Sequence, residues 1–216
     1  MFELVIFDCD GVLVDSEHIT NTVLAELLNE LGLSVNLNYM YEHFMGKSMS
    51  QCMGLITSML GKSPPSNFEE SYRERSRIAL ENGLRPVLGV PEMLQDLQLP
   101  CCVASSGSHD KMRTTLSITG LLPRFAGRLY SVTEVAHGKP APDVFLYAAA
   151  QCGAKPDTCA VVEDTPTGVA AGVAAGMIVF GYTGMIPAGR LQIAGAHHTF
   201  EHMRELNGLL TAQNKN

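Results

Sequence analysis

Four apolar residues, Leu4-Val5-Ile6-Phe7, run straight into Asp8-Cys9-Asp10-Gly11. The apolar run is too short for a helix and β-branched enough for a strand buried in a parallel sheet. Open parallel sheets bind their ligands at the carboxyl ends of strands. Two carboxylates one residue apart at such an end repel each other and are partly desolvated, so a fold that needed only stability would avoid them. Asp before Gly is also good turn chemistry, and a strand-end turn would account for the pair without a ligand. A cation would relieve the repulsion. Mg²⁺ takes oxygen ligands and is commonly held by one or two carboxylates plus substrate phosphate.

The composition changes after Glu17 and stays helical to about Asn82. In His18–Leu31 the apolar residues Ile19, Val23, Leu24, Leu27, Leu28 and Leu31 follow a 3.6-residue period, and Gly32 ends the run. Further helices are expected at Asn38–Phe44, at Met49–Leu60 with Ser48 as N-cap, and at Ser66–Glu81 beyond the Gly61–Pro65 loop. Nothing in this stretch reads as a strand. Residues 16–82 are therefore expected to form an all-helical lid inserted into a core made of 1–15 and 83–216. Arg73, Arg75 and Arg77 on the last of these helices cannot all face one way and read as solvated surface.

From Gly83 onward, apolar runs of strand length alternate with helical patterns. Strands are expected at Pro100–Ala104, Leu129–Val132, Cys159–Val162 and Met177–Phe180, and helices at Val90–Leu97, Asp110–Thr119, from Asp143 and at Val169–Ala175. A last strand-helix pair falls within His198–Leu210. Alternation of this kind implies an α/β core, a parallel sheet with helices on both faces. The small-residue run Gly168–Phe180 could pass for a membrane helix with GxxxG faces. It is only weakly apolar and breaks at Gly176, so its small residues are read as letting a helix lie close to the sheet.

The 216 residues suit one medium domain or a core with an insertion, and the 46% apolar fraction can fill a core. Fifteen basic and 22 acidic residues give a net charge of −7, which argues against nucleic-acid or membrane-surface partners. Any anion site must then be local. The six cysteines include no CxxC pair, and the start of the chain carries no secretory signal, so a reduced, cytoplasmic compartment is expected. A monomer is the expected oligomeric state. His197, His198 and His202 have no metal-like spacing and read as surface.

Three more expected strand ends carry polar groups. Ser105-Ser106-Gly107 offers hydroxyls and backbone N–H groups that would cradle an anion, although Ser105 would serve equally as a plain N-cap. Lys139 lies in Gly138-Lys139-Pro140-Ala141-Pro142-Asp143, a rigid extended setting that is odd for a disposable surface lysine. Glu163-Asp164 precede Thr165-Pro166-Thr167-Gly168, where acids often do no more than cap a helix.

Taken together, and in this order, the four stretches resemble the four motifs of the haloacid dehalogenase superfamily, beginning with the DxDx(T/V) signature of its phosphatases. The resemblance implies that Asp8 is the nucleophile taking up a phosphoryl group and Asp10 the general acid, then base. It implies that Ser105, with Ser106, binds that group and that Lys139 screens its charge against Asp8. Mg²⁺ would be held by Asp8, the backbone carbonyl of Asp10 and Asp164, with Glu163 either behind these ligands or a variable ligand itself.

A helical insertion between the first two motifs resembles the subfamily of β-phosphoglucomutase and the sugar-phosphate phosphatases, whose lids choose the substrate. The mutase carries a His and an Arg in its lid where Thr20 and Met49 stand here, so a phosphatase is the leading expectation and a mutase the rival, with His18 a substitute for the missing His. Lys47 is the candidate lid contact, against a plain loop lysine. The stretch Leu99–Gly107 with Lys111-Met112 is similar to the 6-phosphogluconate phosphatases. The expected partner is thus a small phosphorylated metabolite, a sugar phosphate or phospho-sugar acid. A dehalogenase proper works without metal and without an acid two residues after its nucleophile, so Asp10 and Asp164 speak against it. A signalling receiver would lack the lid.

Overall fold

The computed structural model describes residues 1–45, 47 and 49–214. It divides into two compact units, Met1–Val14 with Arg85–Asn216, and Asp15–Leu84. At the boundary the chain is pinned by an antiparallel bridge between Val14 and Pro86 and by Val87 N–H donating to Leu13 O at 3.0 Å.

The first unit holds six strands: β1 (Leu4–Phe7), β2 (Cys101–Ser105), β3 (Leu129–Ser131), β4 (Cys159–Glu163), β5 (Ile178–Tyr182) and β6 (His198–Phe200). They form one sheet, every neighbour parallel, in the order β3-β2-β1-β4-β5-β6. Every residue of β1, β2 and β4 is buried. That is why these strands read as unbroken apolar runs rather than as alternating ones. The chain steps from β1 out to β3, then returns to the other side of β1 for β4. The strand order reverses between β1 and β4, and in open sheets the crevice at such a reversal is the ligand site. Phe7 pairs with Val103 on one side and Val162 on the other, so Asp8, Ser105 and Glu163 leave the sheet at one edge.

The second unit contains α1 (Glu17–Glu30), α2 (Leu37–His43), α3 (Met49–Leu60) and α4 (Phe68–Gly83), with no strand among its described residues. The Ser48 N-cap expectation lies outside the described residues. Val23, Leu24, Leu27 and Leu28 of α1 bury against Met40, Phe44, Cys52, Ile56 and Phe68. Arg73, Arg75 and Arg77 are exposed and spend their charge on Glu69, on Glu30 and on Glu74 with Glu81. Leu28 is fully buried in this unit. Leu28→Ala should cost about 2–5 kcal/mol in urea unfolding. A loss under about 1 kcal/mol would mean that the helices do not share this core.

The remaining helices, α5 (Val90–Asp96), α6 (His109–Ile118), α7 (Asp143–Gln151), α8 (Pro166–Ala174), α9 (Ala188–Ile193) and α10 (Leu206–Gln213), belong to the sheet unit. Short α9, opened by Pro187-Ala188-Gly189, has too little periodicity to be seen beforehand. The Gly168–Phe180 run does split at Gly176, into α8 and β5. A Cβ on Gly172 would stand 2.8 Å from Val179 Cγ2, so the small residue is what allows α8 its close approach. No described helix is long and apolar enough to cross a membrane. All six cysteines are free, Cys101 and Cys102 buried in β2. His197 and His202 are exposed, as expected, and His198 is half-buried. His197 Nδ1 accepts from Val179 N–H at 3.0 Å, and His198 stacks on Phe180.

Candidate active site

The loop after β1 is a tight turn fastened to the sheet. Asp8 N–H donates to Val162 O at 3.0 Å, Leu13 N–H to Cys9 O at 3.0 Å and Gly11 N–H to Val14 O at 2.9 Å. Gly11 has φ +79°, and any Cβ there would overlap the Asp164 carboxylate. Glycine is thus required twice over, for the turn and for the approach of Asp164. Asp8, Glu163 and Asp164 are buried, and each offers a carboxylate oxygen within 4.8 Å of the others.

Lys139 enters this acidic cluster from the loop before α7. Its Nζ donates to Asp8 Oδ1 at 2.6 Å, to Glu163 Oε1 at 2.6 Å and to Ala104 O at 3.2 Å. Its side chain is only 5% exposed and the ammonium lies 4.7 Å from the Phe145 ring centroid. Asp143, at the start of α7, accepts from His137 N–H and Nδ1 at 3.2 Å, bracing the loop that carries Lys139. Burial would lower the Lys139 pKa, but Asp8 and Glu163 more than offset it, so the amine is held protonated.

Asp8 shows the opposite balance. Burial pushes its carboxyl up to about 7; Lys139 pulls it down, while Glu163 and Asp10 add to the rise. With Asp8, Asp10, Glu163 and Asp164 all ionised, Lys139 and Lys111 leave the site with two negative charges in excess. Its oxygens are of the hard kind that Mg²⁺ takes. The donor set and its charge fit a divalent cation.

Glu163 has other work. Its Oε2 accepts from Asp164 N–H, Thr165 N–H and Thr165 Oγ, each at 3.1 Å, and its Oε1 accepts from Lys139. Gly168 in the first turn of α8 leaves room for this carboxylate, since a Cβ would overlap it. Both Glu163 oxygens thus help to hold Lys139 and the start of α8, whose N-cap is Thr165.

Ser105, the last residue of β2, is 1% exposed, and its Oγ accepts from Gly107 N–H at 3.0 Å. It is not the cap of α6; Ser108 is, accepting from Lys111 N–H. Ser106 is exposed in the loop between them. Lys111 was missed as a site residue: its Nζ donates to Asp10 Oδ2 at 2.8 Å. A cation in the first turn of a helix, against the dipole, was the available signal.

The structure thus brings Asp8, Glu163, Asp164 and Lys139 together, and places Ser105 at the neighbouring strand end. Lys47 belongs to the helical unit and is exposed there. In that unit Thr20 Oγ donates to Ser16 O at 3.0 Å, and His18 Nδ1 lies 2.8 Å from Tyr41 OH.

A family model described as a haloacid dehalogenase-like hydrolase matches residues 2–176. The 6-phosphogluconate phosphatase of Escherichia coli is 27% identical over 212 residues, spanning 98% of this chain and 96% of that protein. Hexitol phosphatase A of the same species is 33% identical over 176 residues, 79% of this chain and 78% of that one. A haloacid dehalogenase-like protein of unknown function from Agrobacterium tumefaciens superposes with a TM-score of 0.89 at 35% identity, covering 99% of this chain and 100% of that one. A haloacid dehalogenase family hydrolase from Deinococcus radiodurans, crystallised with bound phosphate and sodium, gives 0.83 at 30% identity over 99% and 96% of the two chains. On fold, motif order and these matches together, the chain belongs to the haloacid dehalogenase-like hydrolases and is a phosphatase among them.

Proposed function

We propose that the chain is a Mg²⁺-dependent phosphatase of a small phosphorylated metabolite, a sugar phosphate or a phospho-sugar acid of the 6-phosphogluconate kind. It works as a cytoplasmic monomer through an aspartyl-phosphate on Asp8. The observation that carries this is the buried ammonium of Lys139, 2.6 Å from both Asp8 and Glu163, beside a second buried acid, Asp164.

A stable core does not need such a cluster, because burying like charges costs more than it returns. It is what a nucleophilic carboxylate needs when it must meet a phosphate dianion. Asp8, Asp164 and the Asp10 carbonyl would hold the Mg²⁺, whose charge, when bound, offsets the repulsion between phosphate and nucleophile. Lys139, fixed by Glu163, keeps its proton and screens the same repulsion from the other side. Ser105, seated by Gly107, offers its hydroxyl to the phosphoryl oxygens. Asp8 attacks phosphorus, Asp10 gives its proton to the leaving oxygen, and then as carboxylate it draws a proton from the water that frees phosphate from Asp8. To the helical unit we assign the choice of substrate, with Lys47 as its contact. The mutase alternative gains no support from Thr20, whose hydroxyl bonds the α1 backbone.

A panel of phosphorylated metabolites, assayed with Mg²⁺ and with chelator, tests this. Phosphate should be released from a sugar phosphate or phospho-sugar acid. Chelation should slow release at least about 100-fold, the scale of losing one electrostatic contact to developing charge. Re-addition of Mg²⁺ should restore it. Release unaffected by exhaustive chelation, or conversion to an isomeric monophosphate with no free phosphate, would replace this assignment.

A further inference from the structure

We propose that Lys111 is the positioning residue for Asp10: its ammonium, bonded to Oδ2, fixes the orientation of the carboxyl that delivers the proton to the leaving group. This rests on the phosphatase assignment above and on Asp10 as its proton donor.

Three features show the contact to be built rather than incidental. The Lys111–Asp10 bond is 2.8 Å long, and the Asp10 side chain is 15% exposed. Lys111 sits in the first turn of α6, where the helix N-terminus favours anions and a lysine carries a cost unless a carboxylate faces it. Gly107 supplies the space. A Cβ there would stand 3.3 Å from Lys111 Cδ, which would have to give by a few tenths of an ångström, and in ordinary contact with Asp10 Oδ2 at 3.6 Å. The same helix is fastened to the Asp10 loop one turn later, where Thr115 Oγ donates to Lys111 O at 3.0 Å and lies 3.9 Å from Cys9 Sγ. Thr115 thus ties the helix that carries Lys111 to the residue next to Asp10, while the ammonium itself is held by Asp10.

The step is balanced as follows. A bond forms from Asp8 to phosphorus, the bond from phosphorus to the leaving oxygen breaks, and one proton passes from Asp10 to that oxygen, giving a neutral alcohol. Lys111 keeps all its protons. Water then attacks phosphorus, Asp10 takes its proton, and the bond to Asp8 breaks to give inorganic phosphate. Orienting Asp10 therefore matters most where the leaving oxygen is a poor one, as in an alkyl phosphate. It matters little for an activated aryl phosphate, whose phenolate leaves unprotonated.

The test measures kcat/KM, which reports steps through phosphoryl transfer to Asp8. The two probes are the alkyl phosphate that the panel above turns over fastest and dinitrophenyl phosphate. Lys111→Met should lose about 10–100-fold on the alkyl substrate, part of what proton transfer contributes, and under about 3-fold on the aryl one. Lys111→Arg should recover most of the alkyl rate. Equal losses on both substrates would mean that Lys111 holds the phosphoryl group instead, and no loss on either would make it surface; both overturn the proposal. Asp10→Asn run in parallel separates the two levels. If it shows the alkyl-selective loss and Lys111→Met does not, only the Lys111 assignment falls. If Asp10→Asn itself loses both substrates equally, Asp10 is not the donor and both fall.

Discussion

Asp10→Asn should release a single burst of phenolate from dinitrophenyl phosphate, about one equivalent per enzyme, and then nearly stop. The activated phenolate needs no proton, so Asp8 can still take up the phosphoryl group. The second half-reaction needs a base for the attacking water, and an amide cannot act as one. Steady-state turnover should fall by about 10²–10⁴, the usual contribution of a positioned acid-base group. Quench-flow would count the burst, and intact-protein mass would show one added phosphoryl group, absent after Asp8→Asn. The fold should survive, since Asn is isosteric and keeps an oxygen for Lys111, 2.8 Å away in the parent. Steady turnover of the aryl phosphate at the parental rate would show that Asp10 is neither acid nor base.

What could be read from the chain follows from where its chemistry sits. Asp8, Ser105 and Glu163-Asp164 each come at the end of a buried strand, so an apolar run announces them and parallel pairing aligns them. That pattern defined the α/β core, while the roles expected of these residues came from the resemblance of the four stretches to the family's motifs. The four-helix unit was legible for the other reason, a 3.6-residue stripe such as that of α1. The job of Glu163 was not legible, because an acid before a helix looks the same whether it meets a metal or a lysine. The four bonds to its two oxygens become visible only in the fold. Lys111 was hidden because its partner lies 101 residues away. Its local sequence, Ser108-His109-Asp110-Lys111, looks like an ordinary helix start. Contacts of that separation are set by the sheet order, which no local pattern encodes.

Lys139→Met should remove at least about 10³ of the activity, since it takes away a charge aimed at the reacting group. Its effect on stability should depend on pH in a direction the burial dictates. In the metal-free parent the Asp8 carboxyl titrates near 7, well above its ordinary 3.8. A raised acid pKa means that the unfolded chain gives up its proton first. Asp8 therefore costs nothing below about pH 4 and increasingly opposes folding as pH climbs towards 7. Lys139 works the other way: its pKa is raised by Asp8 and Glu163, so its stabilisation is in force throughout this range and is lost only in strong alkali. Removing it leaves Asp8 and Glu163 buried without their shared ammonium, a change worth about 3–5 kcal/mol when the carboxylates are ionised. At pH 5 the variant can relieve this by protonating Asp8, and at pH 8 only at greater cost. Urea unfolding without Mg²⁺ should therefore show a larger deficit at pH 8 than at pH 5, and Mg²⁺ should recover part of it by binding the folded state. An equal deficit at both pH values would mean that Lys139 stabilises through its packing on Phe145 and not through the carboxylates it bridges.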